Sequence, residues 1–443
     1  MKRLFVTVAL IMFVCTNSFA QTINLEEARL LALLNSRSLA QYNIQLNSIL
    51  SERHPMLPSV SAGYSVSAGF LDRNWGFTNP IDSLSASLNF SITQMLFEGG
   101  KTIVQKALKS ISTESARNTA LAEYFNVLDS VDNAYYAVLE GNAALMAAEA
   151  SLQTALFMLS MAEIRQANGM INQGDYLRAL ADKESRENSR NQARRNLSLT
   201  MTRFKALAGI TETPELEEID FGIYESAIQH LAGISDEDAD VLYASLLGTL
   251  LPSNLSLASA ALRSQRAESD LTLARLGFLP TISARITVTG PGYTTANGFS
   301  SPSSGGSVSI TGSIPIDFWN LQDNIRNSQT ARDSAARDYT GALSTFETDL
   351  QSALINLILQ AESVLSSRRS LEYTEKHFEY VMERYRLSQS SVYDLGEAST
   401  QLITSRNSLS RASYGFLQSL SRLRSLGAFD DEERLLGILL GAN

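Results

Sequence analysis

The second half of the chain contains two carboxylates, Asp394 and Glu397, whose spacing would let them interact electrostatically with the same ligand. Residues three apart on a helix lie on one face, so this pair could act together on a cation. The same spacing also fits an ordinary helix start, with Asp394 as the N-cap and Glu397 as a solvated or capping-box residue. In the first half, Asp175 matches Asp394, but Arg178 replaces the second acid. The spacing alone leaves both interpretations open.

The residue types that usually catalyse reactions or bind metals are not arranged for either task. The three histidines, His54, His230 and His377, are far apart and lack metal-ligand spacing. The sequence contains no nucleophile elbow, phosphate-binding loop or zinc motif. We therefore expect no enzyme activity, no cofactor and no resident metal.

The first twenty residues have the composition of a secretory signal peptide. Lys2 and Arg3 precede an apolar stretch, and small residues up to Ala20 suit cleavage there. The only cysteine, Cys15, lies in this segment, and the bulky Val14 before it disfavours the alternative of a lipid-anchored N-terminus. Removal of the segment leaves 34 basic and 46 acidic residues, a formal charge of −12 that disfavours a nucleic-acid partner. We expect export to the cell envelope.

Four segments alternate apolar residues with Ser, Thr and Gly, which is the period of a β-strand. They occupy about residues 57–71, 83–97, 279–290 and 305–317. Their polar faces carry almost no charge, whereas a soluble sandwich, the alternative fold, normally exposes Lys and Glu. Each segment is about long enough to cross an outer membrane at a tilt, and no later segment approaches the roughly 20 apolar residues of a transmembrane helix. We therefore predict membrane strands.

Four strands cannot close a membrane barrel, since the smallest closed barrels have about eight strands and open edges are not tolerated in lipid. The predicted fold class is therefore a β-barrel shared by several chains and joined to long helices. Aromatic residues in the loops and at the strand ends are expected near the membrane interface. They are Phe70, Trp75, Phe77, Phe97, Tyr293, Phe299 and Trp319.

Two long stretches without proline, residues 81–213 and 316–443, predict very long helices. In the first, leucines and other large apolar residues recur at a mostly three-four spacing that is typical of a coiled-coil seam. They are Leu121, Tyr124, Leu128, Val131, Tyr135, Val138, Leu145, Leu152, Leu156 and Leu159. A single helix from Lys101 to Asn168 would measure about 100 Å at about 1.5 Å per residue. Gly169 suits the C-terminal end of this helix, and Asp175 suits the N-cap of a return helix.

The chain also shows signs of an internal duplication. A shift of 219 residues aligns Asp175 with Asp394, and the same shift aligns further pairs: Arg165 with Arg384, Ala179 with Ala398, Asn188 with Asn407, and Arg203 with Arg422. We therefore predict a signal peptide (1–20), a first repeat (21–210), an acidic linker or equatorial segment (211–240), a second repeat (241–427) and a C-terminal tail (428–443).

Three motifs occur in a distinctive order. They are Leu25-Glu26-Glu27-Ala28 followed by Asn35, then Met95-Leu96-Phe97-Glu98-Gly99-Gly100, then Arg165 through Gly169 to Asp175. In these motifs and their order the chain resembles the TolC-like outer-membrane efflux proteins over nearly all of its mature length. The resemblance implies a homotrimer with a twelve-stranded barrel in outer-membrane lipid and a helical tunnel in the periplasm. It also implies an exit duct for efflux or type I secretion, docked to a periplasmic adaptor and, through it, to an inner-membrane pump or ABC exporter.

The resemblance implies a gate at the second hairpin tip, where Asp394 and Glu397 match inward-facing acidic positions. Three chains would bring six carboxylates into one ring, which would favour cations. This sequence departs from the family at two positions. Ser388 stands where many relatives have a glycine, and Ser390 stands where some have an arginine that helps to lock the closed gate. Arg386 could replace that arginine, so we expect this gate to be locked differently.

Adaptor contact is implied at both tips. Exposed Met170 and Ile171 on a turn would be unusual without a partner, and the alternative is that both pack under the neighbouring hairpin. The implied contact residues are Asn168, Gly169, Met170, Ile171 and Asn172 in the first tip and Leu387, Ser388, Gln389 and Ser390 in the second.

Two other classes of function compete with the duct. One is a structural or adhesive coiled-coil stalk in the cell envelope, which would not need two hairpin pairs with lipid-compatible faces. The other is an envelope enzyme that uses the acidic pair, although no pocket-forming domain surrounds that pair.

Overall fold

The computed structural model describes residues 22–51, 57–69, 83–296, 299–300, 303–387, 389–429 and 432–441. Contacts divide the chain into two units. The core unit comprises residues 1–42, 119–258 and 343–443, and the strand unit comprises residues 43–118 and 259–342. Each unit is therefore assembled from segments that are distant in sequence.

Within the described residues the chain forms ten α-helices and seven strands. The helices are α1 (Leu25–Asn35), α2 (Arg37–Ser51), α3 (Lys101–Ala167), α4 (Gln173–Ala208), α5 (Glu225–Ala232), α6 (Asp236–Leu250), α7 (Leu255–Arg275), α8 (Phe318–Arg386), α9 (Val392–Gly427) and α10 (Glu432–Leu439). The strands are β1 (Thr22–Ile23), β2 (Ser59–Gly69), β3 (Ser83–Phe97), β4 (Glu215–Leu216), β5 (Thr281–Ala296), β6 (Phe299–Ser300) and β7 (Ser303–Ser313).

The strand unit contains one antiparallel sheet whose four long strands lie in the order β2, β3, β5, β7. The register keeps like residues together, because Ser61 pairs with Ser91 while Ala62 pairs with Phe90. Over the middle of the sheet, one face is apolar and the other carries hydroxyl groups, as the period of two requires, whereas pairs near its ends, such as Leu84 with Thr295, mix the two types. β2 and β7 each pair on one side only within the described residues.

The third strand is longer than predicted. We expected it to end near residue 290, because Gly290-Pro291-Gly292 has the composition of a turn, but β5 continues to Ala296. A shift in register between Thr289 and Gly292 accommodates Pro291, which has no N–H to donate to the ladder. The strand then resumes pairing with β3.

Two glycines allow the chain to pass from β3 into α3. Gly99 and Gly100 have φ of 63° and 82°, a region that favours glycine. A Cβ on Gly99 would lie 2.5 Å from the Cβ of Leu279, so this position also needs a small residue for packing. The two glycines at the end of the strand motif are therefore required by the backbone conformation and, at Gly99, by packing.

The core unit is built around the long helices α3, α4, α8 and α9. Tyr135, Phe204, Leu350 and Phe416 are fully buried there and belong to one hydrophobic cluster. Burial of such large side chains is the main favourable contribution to packing these helices together.

The predicted seam of α3 is only partly correct. Leu128 and Val131 are buried as expected, but Leu121 and Leu156 are exposed. In the later part, the buried residues include Ala155 and Ala162, with Met158 between them. Small side chains let the neighbouring helices approach closely, so the seam follows alanines where sequence reasoning selected leucines.

The segment predicted as an acidic linker has defined structure. β4 pairs in parallel with β1, and α5 follows before α6 begins at Asp236. Ser235 caps α6 by accepting a hydrogen bond from the N–H of Asp238, and three acids in the first turn suit the positive end of the helix dipole. In the tail, α10 buries Leu435 and Leu439 in the core unit.

One described helix, α3, contains a window that is long and apolar enough to span a membrane by length and composition. The expectation that no segment after the signal region approaches this composition is therefore wrong. The apolar character of α3 comes from an alanine- and leucine-rich surface, of which Ala155 and Met158 pack inside the core unit.

Candidate functional site

The first candidate site is the turn between α3 and α4. Gly169 has a φ of 70°, and the N–H groups of Gly169 and Met170 donate to the carbonyl groups of Gln166 and Arg165, which ends α3. The N-cap of α4 is Asn172, whose side chain accepts from the N–H of Asp175 at 2.9 Å. The prediction that Asp175 is the N-cap is therefore wrong, because an amide three residues earlier takes that role.

The turn between α8 and α9 has a similar design. The N–H of Gln389 donates to the carbonyl oxygen of Arg384 at 2.8 Å, and the hydroxyl of Ser390 donates to the carbonyl oxygen of Val381 at 3.4 Å. Ser391 is the N-cap of α9. Ser388, one of the predicted contact residues, lies outside the described residues.

Asp394 is part of a capping box. Its N–H donates to the Ser391 hydroxyl at 3.2 Å, and its carboxylate accepts from the N–H of Ser391 at 2.9 Å. These two contacts hold the pKa of Asp394 below its usual range, and the positive charge of Arg384 acts in the same direction. Asp394 is thus an ionised residue inside the first turn of α9, whereas the capping interpretation of the sequence placed it at the N-cap.

The structure places Glu397 one turn further along α9, exposed like Asp394. Asp175 is half-buried at the start of α4. Within one chain, no hydrogen bond or ion pair among the described residues joins these three carboxylates. Arg386, the candidate replacement for the family arginine, lies 3.6 Å from the exposed Glu383.

An arginine and a tyrosine lock the two hairpins together behind the tips. The guanidinium of Arg165 lies 4.4 Å from the centre of the Tyr385 ring and donates to the Tyr385 carbonyl oxygen. Both side chains are buried, and the Tyr385 hydroxyl donates to the carbonyl oxygen of Met158 at 3.4 Å. Burial raises the pKa of Tyr385, so this ring remains neutral. The aligned residue of the second repeat, Arg384, is exposed and donates to Gln389 instead.

Two further arginines on α4 reach across to α9. Arg186 donates to the Thr400 hydroxyl at 2.6 Å, and Arg178 lies 5.6 Å from the centre of the Tyr393 ring. Sequence reasoning missed these contacts, because it compared Arg178 only with the acid that occupies the matching position of the second repeat.

Apolar side chains are exposed at both tips. Met170 is 71% exposed and Leu387 is 61% exposed. Ile171 is half-buried and packs on the cluster that contains Met158, Val381 and Tyr385. The expectation that Met170 and Ile171 share one environment is therefore wrong, because the turn directs one side chain outward and the other inward.

The sheet supplies the second candidate site, since its apolar face is open. Tyr64 is 85% exposed, and Val308 and Ile310 are exposed to a similar degree. The interface aromatics predicted at Phe70, Trp75 and Phe77 lie outside the described residues. Phe97 and Trp319 are exposed, while Tyr293 and Phe299 lie in β5 and β6.

A buried ionic cluster in the core unit was not predicted. The carboxylate of Asp132 is inaccessible to solvent and accepts from Arg29 at 2.7 and 2.9 Å, from Arg424 at 2.6 Å and from Ser421 at 3.1 Å. Glu432 lies 3.7 and 3.6 Å from the same two arginines. The cluster joins α1, α3, α9 and α10. Burial and the neighbouring carboxylate of Asp132 raise the pKa of the adjacent Tyr136 phenol.

Comparison with known proteins gives one consistent result. The family model for outer membrane efflux proteins matches residues 29–209 and again residues 246–428. TolC of Escherichia coli is 23% identical over 455 residues, which cover 95% of this chain and 85% of that protein. TolC of Salmonella enteritidis is 22% identical over 93% of this chain and 82% of its own length.

Solved structures of similar fold are also outer-membrane channels. CusC superimposes with a TM-score of 0.73 at 16% identity and covers 93% of this chain and 95% of its own. MtrE of Neisseria gonorrhoeae, solved in an open state, gives a TM-score of 0.68 at 17% identity over 91% of this chain and 88% of its own. The family model covers most of the chain, and the curated relatives are outer-membrane proteins. This chain belongs to the outer membrane efflux protein family, whose members are channels rather than enzymes.

Proposed function

We propose that three copies of this chain form an exit duct through the outer membrane for efflux or type I secretion. The observation that carries the proposal is the incomplete sheet of the strand unit. Its apolar face is exposed, its opposite face carries hydroxyl groups, and β2 and β7 each leave an edge unpaired within the described residues. In lipid, unpaired backbone groups at a sheet edge are costly, so a sheet of this kind needs to close with other copies.

Four strands from each of three chains would give a twelve-stranded barrel with its apolar face toward lipid. The size falls in the range of membrane barrels that enclose an aqueous lumen or a plug. The helices would continue from the barrel into the periplasm. Exposed apolar residues on α3, such as Leu121 and Leu156, would then be available for contacts between neighbouring chains.

The two halves of the chain support an internal duplication. The ends of the two ranges matched by the family model, residues 209 and 428, differ by 219 residues. This is the shift that aligns Asp175 with Asp394. Duplicated halves would let three chains supply six similar helical hairpins around one axis.

We infer that the tips of these hairpins form the periplasmic gate. Asp394 and Glu397 are exposed one turn apart on α9, and Asp175 lies in the first turn of α4 in the other hairpin. Three chains would gather these carboxylates around the axis, where they would favour cations. The contacts of Arg178 with Tyr393 and of Arg186 with Thr400 join the two hairpins of one chain and would have to loosen if those hairpins separate.

Docking to a periplasmic adaptor would use the exposed apolar side chains of the tips. Met170 and Leu387 are exposed in the two hairpin turns, and the exposed polar residues Asn168 and Gln389 lie two positions from them in the sequence. An adaptor could bury these side chains and in turn connect the duct to an inner-membrane pump or ABC exporter.

Two measurements test the proposal. Native mass spectrometry of the detergent-extracted protein should give the mass of three chains. A photoreactive residue at Met170 or Leu387 should cross-link in cells to a periplasmic adaptor protein. The same residue at Leu359, which is 52% exposed on α8 away from the turns, is the matched control and should not. A monomer in both detergent and membrane would contradict the duct and would support the envelope stalk.

A further inference from the structure

One charged residue interrupts the four long strands of the sheet. The segments Ser59–Gly69, Ser83–Phe97, Thr281–Ala296 and Ser303–Ser313 contain a single ionisable cation, Arg285, and no Asp or Glu. A guanidinium is protonated at every physiological pH. Each chain therefore contributes one fixed positive charge to its part of the sheet.

The register places Arg285 on the hydroxyl face. Arg285 pairs with Thr93 on one side and with Ser309 on the other, and Thr93 pairs with Ser59. One row across the four strands thus reads Ser, Thr, Arg, Ser. The Nε of Arg285 donates to the hydroxyl of Thr93 at 3.2 Å, which agrees with a side chain on that face.

The charge of Arg285 has no acidic partner within the described part of the chain. No carboxylate forms an ion pair with Arg285 among the residues that the structure describes, and the side chain is exposed. Neighbouring rows of the same face carry hydroxyl pairs, such as Ser61 with Ser91 at 2.7 Å. A hydroxyl would suffice to hydrogen-bond Thr93, so an arginine at this point adds charge beyond the needs of the ladder.

The position of the row is also informative. It crosses the sheet near the end at which β3 leads to α3 and β7 leads to α8. Charged residues on the lipid face of a membrane barrel are destabilising, whereas the inner face accepts polar residues. The hydroxyl face is therefore the lumen face in the trimer proposed above.

We infer that Arg285 is a specificity-determining residue, which gives the helix-side end of the barrel lumen a ring of three positive charges that favours anions and anionic cargo. The inference rests on the proposed trimeric duct. Rings of arginine or lysine select anions in other pores through the same electrostatics. The trimer would then carry acidic residues at its tips and basic residues in its barrel.

The size of the effect follows from simple electrostatics. In water, three unit charges about 10 Å from the axis, screened over about 10 Å at 0.1 M salt, enrich anions on the axis about twofold. At 0.01 M salt, where the screening length is about 30 Å, the enrichment is larger. The effect of Arg285 should therefore grow as the salt concentration falls.

The test is the potassium-to-chloride permeability ratio of single channels in a planar bilayer under a KCl gradient. Arg285→Gln should raise this ratio at least about twofold at 0.1 M KCl, and Arg285→Glu should raise it further. Arg285→Lys keeps the charge and should retain the wild-type ratio. Arg285→Gln combined with Thr287→Arg moves the charge to the next row of the same face and should restore it.

The same variants are measured with Asp394→Ala and Glu397→Ala also present, so that acidic tips cannot hide the contribution of the barrel. Unchanged permeability ratios in conducting Arg285→Gln trimers, in both backgrounds, would overturn the inference and leave the duct intact. A ratio that changes equally in Arg285→Lys would also overturn it, since the effect would then come from shape. A wild-type protein that forms no trimer and no channel would contradict the proposed function itself.

Discussion

Asp132→Asn is expected to destabilise the core unit strongly. The wild-type carboxylate is fully buried and accepts four hydrogen bonds, three of them from the guanidinium groups of Arg29 and Arg424. The asparagine has almost the same shape, but it removes the negative charge and presents an N–H₂ group to hydrogen-bond donors. Arg424 would then depend on Glu432 at 3.6 Å, and Arg29 would depend on Glu432 at 3.7 Å and on the exposed Glu26.

The magnitude follows from the cost of leaving a buried charge without its partner. Breaking a buried ion pair from one side costs about 3–5 kcal/mol. For a unit of this size, such a loss should lower the apparent melting midpoint by at least about 5 °C. The assay is helical circular dichroism of the full chain in detergent, with both proteins heated at the same rate.

Glu372→Gln is the matched control. Glu372 lies 2.7 Å from Lys376, four residues along α8, and both side chains are more than half exposed. Water screens such a pair, so the midpoint should not change. Arg29→Gln in the Asp132→Asn background should recover part of the loss, because it removes one of the two guanidinium charges that lose Asp132 as a partner. A midpoint of Asp132→Asn within about 1 °C of wild type would refute the reasoning.

Two further predictions concern single residues of the core unit. Burial raises the pKa of Asp129 in the folded state above the ordinary 3.8. As the pH rises through this raised pKa, ionisation of Asp129 therefore lowers the stability of the folded state. Asp129→Asn should therefore become progressively more stable than wild type from about pH 4 to pH 7. The measurement is the difference between the two melting midpoints at each pH. A difference that is independent of pH would contradict the prediction. Ser391→Ala should destabilise the start of α9 by about 0.5–2 kcal/mol, because it removes the N-cap. Amide hydrogen exchange in the first turn of α9 should then be faster than in wild type. Ser391→Thr keeps the cap and should exchange like wild type.

Local patterns in the sequence predicted the elements of the fold well. Alternation of apolar residues with Ser and Thr identified the strand from Ser83 to Phe97, and the absence of proline identified the continuous helix from Lys101 to Ala167. The same patterns predicted too early an end for β5, because a bulge allows the strand to continue past Pro291. They also misjudged the later seam of α3, because alanines pack there in place of leucines.

Local patterns in the sequence could not predict contacts between residues that are distant along the chain. Arg29 and Asp132 are separated by 103 residues, and Asp132 and Arg424 by 292. The one available signal was an acid beside the buried seam residues Val131 and Tyr135, which would have called for a cationic partner. At the tips, the sequence predicted the two turns, but it predicted Asp175 as the N-cap where the structure has Asn172, and the capping interpretation of Asp394 named it where the structure has Ser391.

The central claim is that copies of this chain enclose a water-filled duct. Single-channel recording of the purified wild-type protein in a planar bilayer tests it most directly, beside the variant Asp394→Ala with Glu397→Ala. The account predicts discrete conductance that depends on the trimer. In the variant, which lacks the acidic residues of the tips, this conductance should rise or lose its preference for cations. A folded trimer that conducts in neither form would contradict the account and favour a structural stalk.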